Sequence, residues 1–346
     1  MFLRSSSKIP YTHVRPLQQL YRVYSTLHNN SYPQPKAIAF SSPGVPSQVL
    51  RCVTLPLIKP PSPGALTVKI ICAPINPSDI NVVEGVYPSK PSLLLPEQTG
   101  LEEGVYIGGN EGLAQVLDVG EGVTDMEVGD WVIMTKPQSG TWLWGKNVRQ
   151  EDVLKIPKVD GLTEVHAATI TVNPPTAYNM LTSFITLKHG ATHVFTYDDL
   201  ADKTLNLRGK VRDWTGSTGV RLGLNCVGGK ETSMMANLLG QNSHLISYGA
   251  MSKQPLSLST SLFIFKNLTA HGFWQTRWYS ERSREERENV MKVLVDLMTS
   301  GKLKAPEAEI IPLNGSPTEI ENKVRNTMKR LAEGGVGKKL LLQFTD

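Results

Sequence analysis

The sequence predicts an α/β protein of two domains, and three observations carry the prediction. From Lys36 to about Pro157, short apolar runs (AIAF, VLRCVTL, LTVKIIC, AQVLDVG, DWVIMT) alternate with Gly, Pro and Asp, the pattern of many short strands joined by turns. Around Thr163 the period turns helical, and beyond it apolar runs (RLGLNCVGG, SHLISYGAM, LTAHGFW) alternate with helical stretches. Buried strands alternating with helices indicate a parallel, doubly wound sheet, whose ligands lie beyond the strand C-termini. At 346 residues the chain is also longer than a single core usually grows.

The first 30 residues stand apart. They carry Arg4, Lys8, Arg15 and Arg22 with several Ser and Thr, no acid, and no continuous apolar core. That is the composition of a mitochondrial presequence rather than a secretory signal, with a disordered basic tail as the alternative. Residues 1–78 hold eight Lys or Arg and no Asp or Glu, while the whole chain has 36 bases against 31 acids. Without the leader the charges nearly cancel, so no basic stripe remains to bind nucleic acid. No run approaches the roughly 20 apolar residues of a membrane span. Cys52, Cys72 and Cys226 are odd in number and far apart, against a disulfide framework and against a cysteine-rich zinc lobe.

The strand-like run Leu66–Cys72 feeds the stretch Ala73–Pro91, APINPSDINVVEGVYPSKP. Its prolines and turn formers predict a long loop without helix. Long ordered loops on a rigid scaffold are where binding and catalytic groups tend to sit. Tyr87 is the one sizeable side chain there with a transferable proton. A loop tyrosine that packs its ring and wets its hydroxyl is the plainer alternative. Downstream, VTDMEVGDWV (123–132) predicts a turn leading into a strand.

In VNPPTAYNMLTSFITL, Pro174 and Pro175 suit a helix start and Asn173 sits where an N-cap would. ETSMMANLLG predicts a short helix stopped by Gly240. Tyr248-Gly249-Ala250-Met251 and Phe273-Trp274-Gln275 fall at the ends of predicted strands, where Gly249 would let a backbone approach a ligand closely. For Trp274 a core or interface aromatic is the alternative. Ser280 is expected to cap the next helix, with Val290, Val293, Leu294, Leu297 and Met298 as its apolar stripe and Gly301 as its stop. The capping box Ser316–Glu319 opens the last helix, which turns Ile320, Val324, Met328 and Leu331 inward and ends at Gly334-Gly335. A final strand, KLLLQF, should rejoin the first domain. His166, His189, His193, His244 and His271 show no metal-ligand spacing and read as surface or structural residues. Gly216–Gly219 and GGVGKK (334–339) read as turns rather than phosphate loops.

INPSD followed by EGVYPSKP resembles the loop of the zinc-independent medium-chain dehydrogenase/reductase superfamily, and more narrowly that of the mitochondrial 2-enoyl thioester reductases of fungi and animals. The resemblance resumes at GGNEG (108–112), VNPPTAYNML (172–181), LNCVGGK (224–230), SYGAM (247–251), FKNLTAHGFW (265–274) and GKK (337–339). It implies a GroES-like, partly closed β-barrel substrate domain (36–165 with 302–346) and a Rossmann-type cofactor domain (166–301). Zinc members bind their metal through a cysteine and a histidine at positions that here read Asn76 and Asn110. Amides are poor zinc ligands, so no metal site is expected.

The function implied by the resemblance is NADPH-dependent reduction of trans-2-enoyl thioesters on acyl carrier protein or coenzyme A, by a homodimer in the mitochondrial matrix. Tyr87 would be the proton donor, since the ordinary tyrosine pKa of about 10 keeps a phenol protonated at neutral pH. Asn173, Tyr248, Gly249, Ala250, Met251, Phe273, Trp274, Gln275 and Lys338 would bind the cofactor, with Phe273 and Trp274 also lining the acyl and nicotinamide cleft. A quinone oxidoreductase of the same superfamily, which usually lacks GVYPSKP, and a non-catalytic scaffold that kept the fold are the alternatives.

One departure from the family bears on all of this. FITLKHG runs directly into ATHVFTYDDL, where the family has a strand, a glycine turn over the pyrophosphate, a helix and a second strand. A βαβ unit of roughly 30 residues or more is therefore expected to be missing between Leu187 and Ala191. Weak cofactor binding and a poorly stable cofactor domain follow from that expectation.

Overall fold

The computed structural model describes residue 32 and residues 35–184, 193–334 and 336–345. The expected presequence (1–30), the junction Leu187–Ala191 and His189 lie outside the described residues.

Strand Ala65–Pro74 is the spine of the first domain. It is buried almost throughout because it has neighbours on both sides: Leu113–Val119 and Gly145–Arg149 along one stretch, and Lys339–Phe344 beside its end. The sheet runs Ala308–Leu313, Lys339–Phe344, Ala65–Pro74, Leu113–Val119, Trp131–Met134, Val153–Ile156. All of these pairings are antiparallel except the first, between Ala308–Leu313 and Lys339–Phe344. A smaller sheet of Arg51–Thr54, Lys36–Phe40 and Tyr106–Ile107 folds over the first, stitched to it where Ile38 N donates to Trp142 O and Trp144 N to Lys36 O. Ile38, Leu66, Ile70, Trp142 and Trp144 fill the space between them. This is the expected partly closed barrel, with KLLLQF returned to it.

The other face of the barrel buries Leu113, Ile133, Leu154 and Ile156 against helix Arg284–Thr299. Ser283, not Ser280, caps that helix. Ser283 has Glu286 three residues on to complete a capping box, whereas Ser280 lies inside the preceding helix Gln275–Glu281. The stripe shifts accordingly: Met291, Leu294, Val295 and Met298 face inward and Val293 is exposed. Gly301, at φ 70°, follows the helix end as expected. The last helix, Pro317–Glu333, keeps its predicted box and its inward Ile320, Val324 and Met328.

The second domain holds three parallel strands among the described residues, in the order Thr269–Gly272, Leu239–Ser247, Val220–Asn225. Helices Gly229–Ala236 and Thr260–Lys266 accompany them around a small core of Ala236, Leu239, Leu245, Leu262 and Leu268. Two expectations fail here. Thr269–Gly272 is mostly exposed rather than buried, because it is an edge strand with a single neighbour. Gly240 does not stop a helix: it lies in strand Leu239–Ser247, where a Cβ would come within 2.8 Å of Gly219 Cα.

Two further corrections concern helix starts. Ala73–Pro91 is not helix-free, since Pro77–Val83 forms a short helix with Pro77 in its first turn, where a missing N–H costs nothing. Asn173 is the first residue of helix Asn173–Ser183 and is exposed; Val172 occupies the cap position and makes no side-chain cap.

Candidate active site

The helix Pro77–Val83 aims Tyr87. Asn76 caps it, and Asp79 returns a carboxylate to the Asn76 N–H at 2.8 Å. Past the helix, Gly85 takes φ 79°, and the N–H groups of Val86 and Tyr87 both fold back onto Asn81 O at 2.9 and 3.1 Å. The left-handed glycine and the shared carbonyl make a tight exit from the helix, so the Tyr87 ring packs half-buried on the barrel core.

The second domain supplies the other half. Phe273 N donates to Ser247 O at 2.9 Å, extending the edge strand by one residue. Trp274 then turns into helix Gln275–Glu281. Its indole Nε1 donates to the Tyr87 hydroxyl at 2.9 Å, with ring centroids 6.2 Å apart in an edge-on arrangement. A salt bridge from Lys253 Nζ to Glu84 Oε2, 3.0 Å long, also joins the two domains. The cleft beside this pair is lined by Ser78, Tyr87, Asn110, Thr171, Val172, Gln275 and Tyr279.

Behind the cleft lies a cluster of buried polar groups. Asn76 Nδ2 donates to Glu111 Oε1 at 2.8 Å, and Asn76 Oδ1 accepts from Lys339 Nζ. Asn110 Oδ1 accepts from Gln138 N at 2.6 Å. The two amides at the positions zinc relatives use for metal are thus both engaged in hydrogen bonds with the protein. Burial pushes the Asp79 carboxyl up to about 7, against the pull of the Asn76 N–H and with the nearby Glu111 adding to the rise.

The expected site residues divide into two groups. Tyr87, Trp274 and Gln275 meet at the cleft, with Phe273 half-buried beside them; Gln275 is buried and its Oε1 accepts from Asn179 Nδ2 at 3.3 Å. Tyr248, Gly249, Ala250 and Met251 form an exposed turn at the end of strand Leu239–Ser247. It is held where Tyr248 N and Met251 N donate to Asn225 O and Cys226 O, each at 2.9 Å. A Cβ on Gly249 would stand 3.0 Å from Cys226 O, so a larger residue would need the turn to ease off the neighbouring strand end by a few tenths of an ångström. Asn173 is exposed next to the cleft residue Val172. Lys338 is exposed in a separate groove with Glu309 and Arg330. Its neighbour Lys339, pointing the opposite way by strand alternation, is the lysine that reaches Asn76.

Sequence reasoning missed Glu111, Thr171, Tyr279 and Lys339. Glu111 alone left a signal: it is a single acid between the glycines of GGNEG and the buried run LAQV, a place where a charge needs a partner.

The chain resembles known proteins over most of its length. Residues 62–162 match the alcohol dehydrogenase GroES-like domain, and residues 185–296 match the family described as zinc-binding dehydrogenase. A mitochondrial enoyl-[acyl-carrier-protein] reductase of Yarrowia lipolytica is 33% identical over 90% of this chain and 92% of its own. The human enzyme of that name is 31% identical over 83% and 84%. The mitochondrial 2-enoyl thioester reductase Etr1p/Etr2p heterodimer from Candida tropicalis superposes with a TM-score of 0.81 at 29% identity, covering 90% of this chain and 99% of that one. A solved complex of Etr1p with NADP and crotonyl-CoA matches equally well, at the same TM-score and identity. This chain belongs to the mitochondrial enoyl-[acyl-carrier-protein] reductases of the medium-chain dehydrogenase/reductase superfamily.

Proposed function

We propose that this chain reduces trans-2-enoyl thioesters, on acyl carrier protein or coenzyme A, with NADPH as reductant and Tyr87 as proton donor. The observation that carries the reading is the half-buried Tyr87 phenol at the interdomain cleft with the Trp274 indole N–H on its oxygen. Because that oxygen accepts from Trp274, its own proton is free to turn into the cleft. NADPH, when bound, supplies a hydride to the β-carbon of the enoyl group. Tyr87 then gives its proton to the α-carbon, and the indole N–H stabilises the negative charge that develops on the phenol oxygen.

The nicotinamide end of the cofactor suits the residues present. The Tyr248–Met251 turn, with Gly249 bare for a close approach, and Phe273 and Trp274 all stand at the C-terminal ends of parallel strands. The pyrophosphate end does not suit them. Among the described residues, the strand-turn-helix at Asn225–Gly229 is the arrangement that could face a phosphate, and Asn225 Oδ1 already accepts from Val227 N and Gly228 N at 3.0 and 2.9 Å. The chain therefore holds NADPH weakly, as a missing βαβ unit between Leu187 and Ala191 would also require.

The mitochondrial names of the relatives and the basic composition of residues 1–30 support a matrix location. The edge strand Thr269–Gly272, next to exposed Phe263, Ile264 and Phe265, supports a homodimer that covers it. Product analysis of crotonyl-CoA incubated with NADPH tests the reading: butyryl-CoA is expected, and turnover of a quinone with none of crotonyl-CoA overturns it.

A further inference from the structure

We propose that Glu111 is a positioning residue that sets the contact between Tyr87 and Trp274 from behind the cleft. Its side chain is fully buried, and its two carboxylate oxygens face different walls. Oε1 accepts from Asn76 Nδ2 at 2.8 Å, and Asn76 is the cap of the helix whose exit presents Tyr87. Oε2 accepts from Thr171 N, Thr171 Oγ1 and Val172 N at 3.2, 3.1 and 3.0 Å. Thr171 O in turn accepts from Tyr279 Oη at 2.7 Å, and Tyr279 sits on the helix that begins just after Trp274.

Both sides of the Tyr87–Trp274 hydrogen bond therefore lead back to one carboxylate. Asn76 completes the circuit by offering its Oδ1 to Lys339, so the C-terminal strand is tied in as well. Burial pushes the Glu111 carboxyl up, while Lys339, Asn76, Thr171 and Val172 oppose the rise. With three donors on Oε2 and one on Oε1, an acceptor-only carboxylate fits the site better than an amide, which would aim N–H groups at donors. Neither the barrel nor the second domain could shift by itself without breaking part of this set.

The bearing of Glu111 on proton delivery rests on the reading of Tyr87 above, but its test does not. In protein labelled with ¹⁵N at the indoles, the resonances of the six tryptophans are recorded without cofactor or substrate, and Tyr87→Phe identifies the Trp274 signal and its position when the hydrogen bond is lost. Glu111→Gln is expected to move the Trp274 signal toward that position while Trp144, bonded to Thr345 O and outside the Glu111 set, stays in place. Lys339→Met, which removes the partner of Asn76 Oδ1 and keeps the buried acid, is expected to move it in the same direction. The double variant should move it no further than the larger single change. An unmoved Trp274 signal in both single variants overturns the proposal, and so does a shift of Trp144 together with Trp274, which marks a general loss of structure. A chain without any reductase activity would still give a clear answer.

Discussion

The indole Nε1 of Trp274 lies 2.9 Å from the hydroxyl oxygen of Tyr87, joining residues 187 positions apart on two domains. The bond uses the phenol oxygen as acceptor and leaves its proton free, which is the arrangement an acid needs. It also makes Trp274 more than a wall of the cleft. If the indole N–H supports charge on the phenol oxygen as the proton leaves, Trp274→Phe should lower kcat for crotonyl-CoA by about ten- to hundredfold, from the roughly 1.5–3 kcal/mol of a hydrogen bond to a charged group. An unchanged kcat would reduce the indole to packing.

Gly85 controls how the chain leaves the helix before Tyr87. It holds φ 79°, and a Cβ there would meet Pro43 Cβ at 2.7 Å. Gly85→Ala should cost about 1–2 kcal/mol from the left-handed backbone alone, read as a lower urea midpoint. A midpoint equal to the wild type would mean that the turn relaxes freely.

Asp79 makes stability depend on pH. Its unfolded carboxyl titrates at about 3.9 and its folded one at about 7, with burial as the main cause. The folded state holds the proton more tightly, so the stability linked to this group is complete below about pH 4 and lost as pH rises through about 7. Asp79→Asn keeps an oxygen for the Asn76 N–H and removes the titration. Thermal unfolding at pH 5 and pH 8 should show a smaller drop for the variant than for the wild type; equal drops would assign the dependence to other groups.

The occupied amides of the Asn225–Gly229 turn predict weak cofactor binding. Fluorescence titration with NADPH should show no saturation in the micromolar range. Micromolar affinity would mean that the phosphates find a cradle other than this turn.

Much of the fold was legible because local patterns carried it. Alternation marked Ala65–Pro74, Leu113–Val119 and Trp131–Met134, and the Ser316–Glu319 box marked the last helix. The failures came where two local signals competed. Pro77 reads as a breaker until it is seen in the first turn of a helix, and Ser280 and Ser283 stand three residues apart with only Ser283 having its glutamate at the right distance. Tyr87 and Trp274 were each legible as candidate site residues from the motifs around them, but their contact was not. The links from Glu111 to Thr171 and from Thr171 to Tyr279 span 60 and 108 positions, beyond the reach of any periodicity. Lys338 and Lys339 differ only by strand alternation at the very start of a strand, and the register that turns Lys339 inward is set by pairing with Ala308–Leu313.

The central claim is tested most directly by comparing wild type and Tyr87→Phe in the reduction of crotonyl-CoA, with NADPH raised until the rate saturates. Removal of the phenol proton should lower kcat by about 10²–10⁴-fold, the range typical of a lost general acid. Equal rates would show that the proton reaching the α-carbon comes from elsewhere, and would contradict the account.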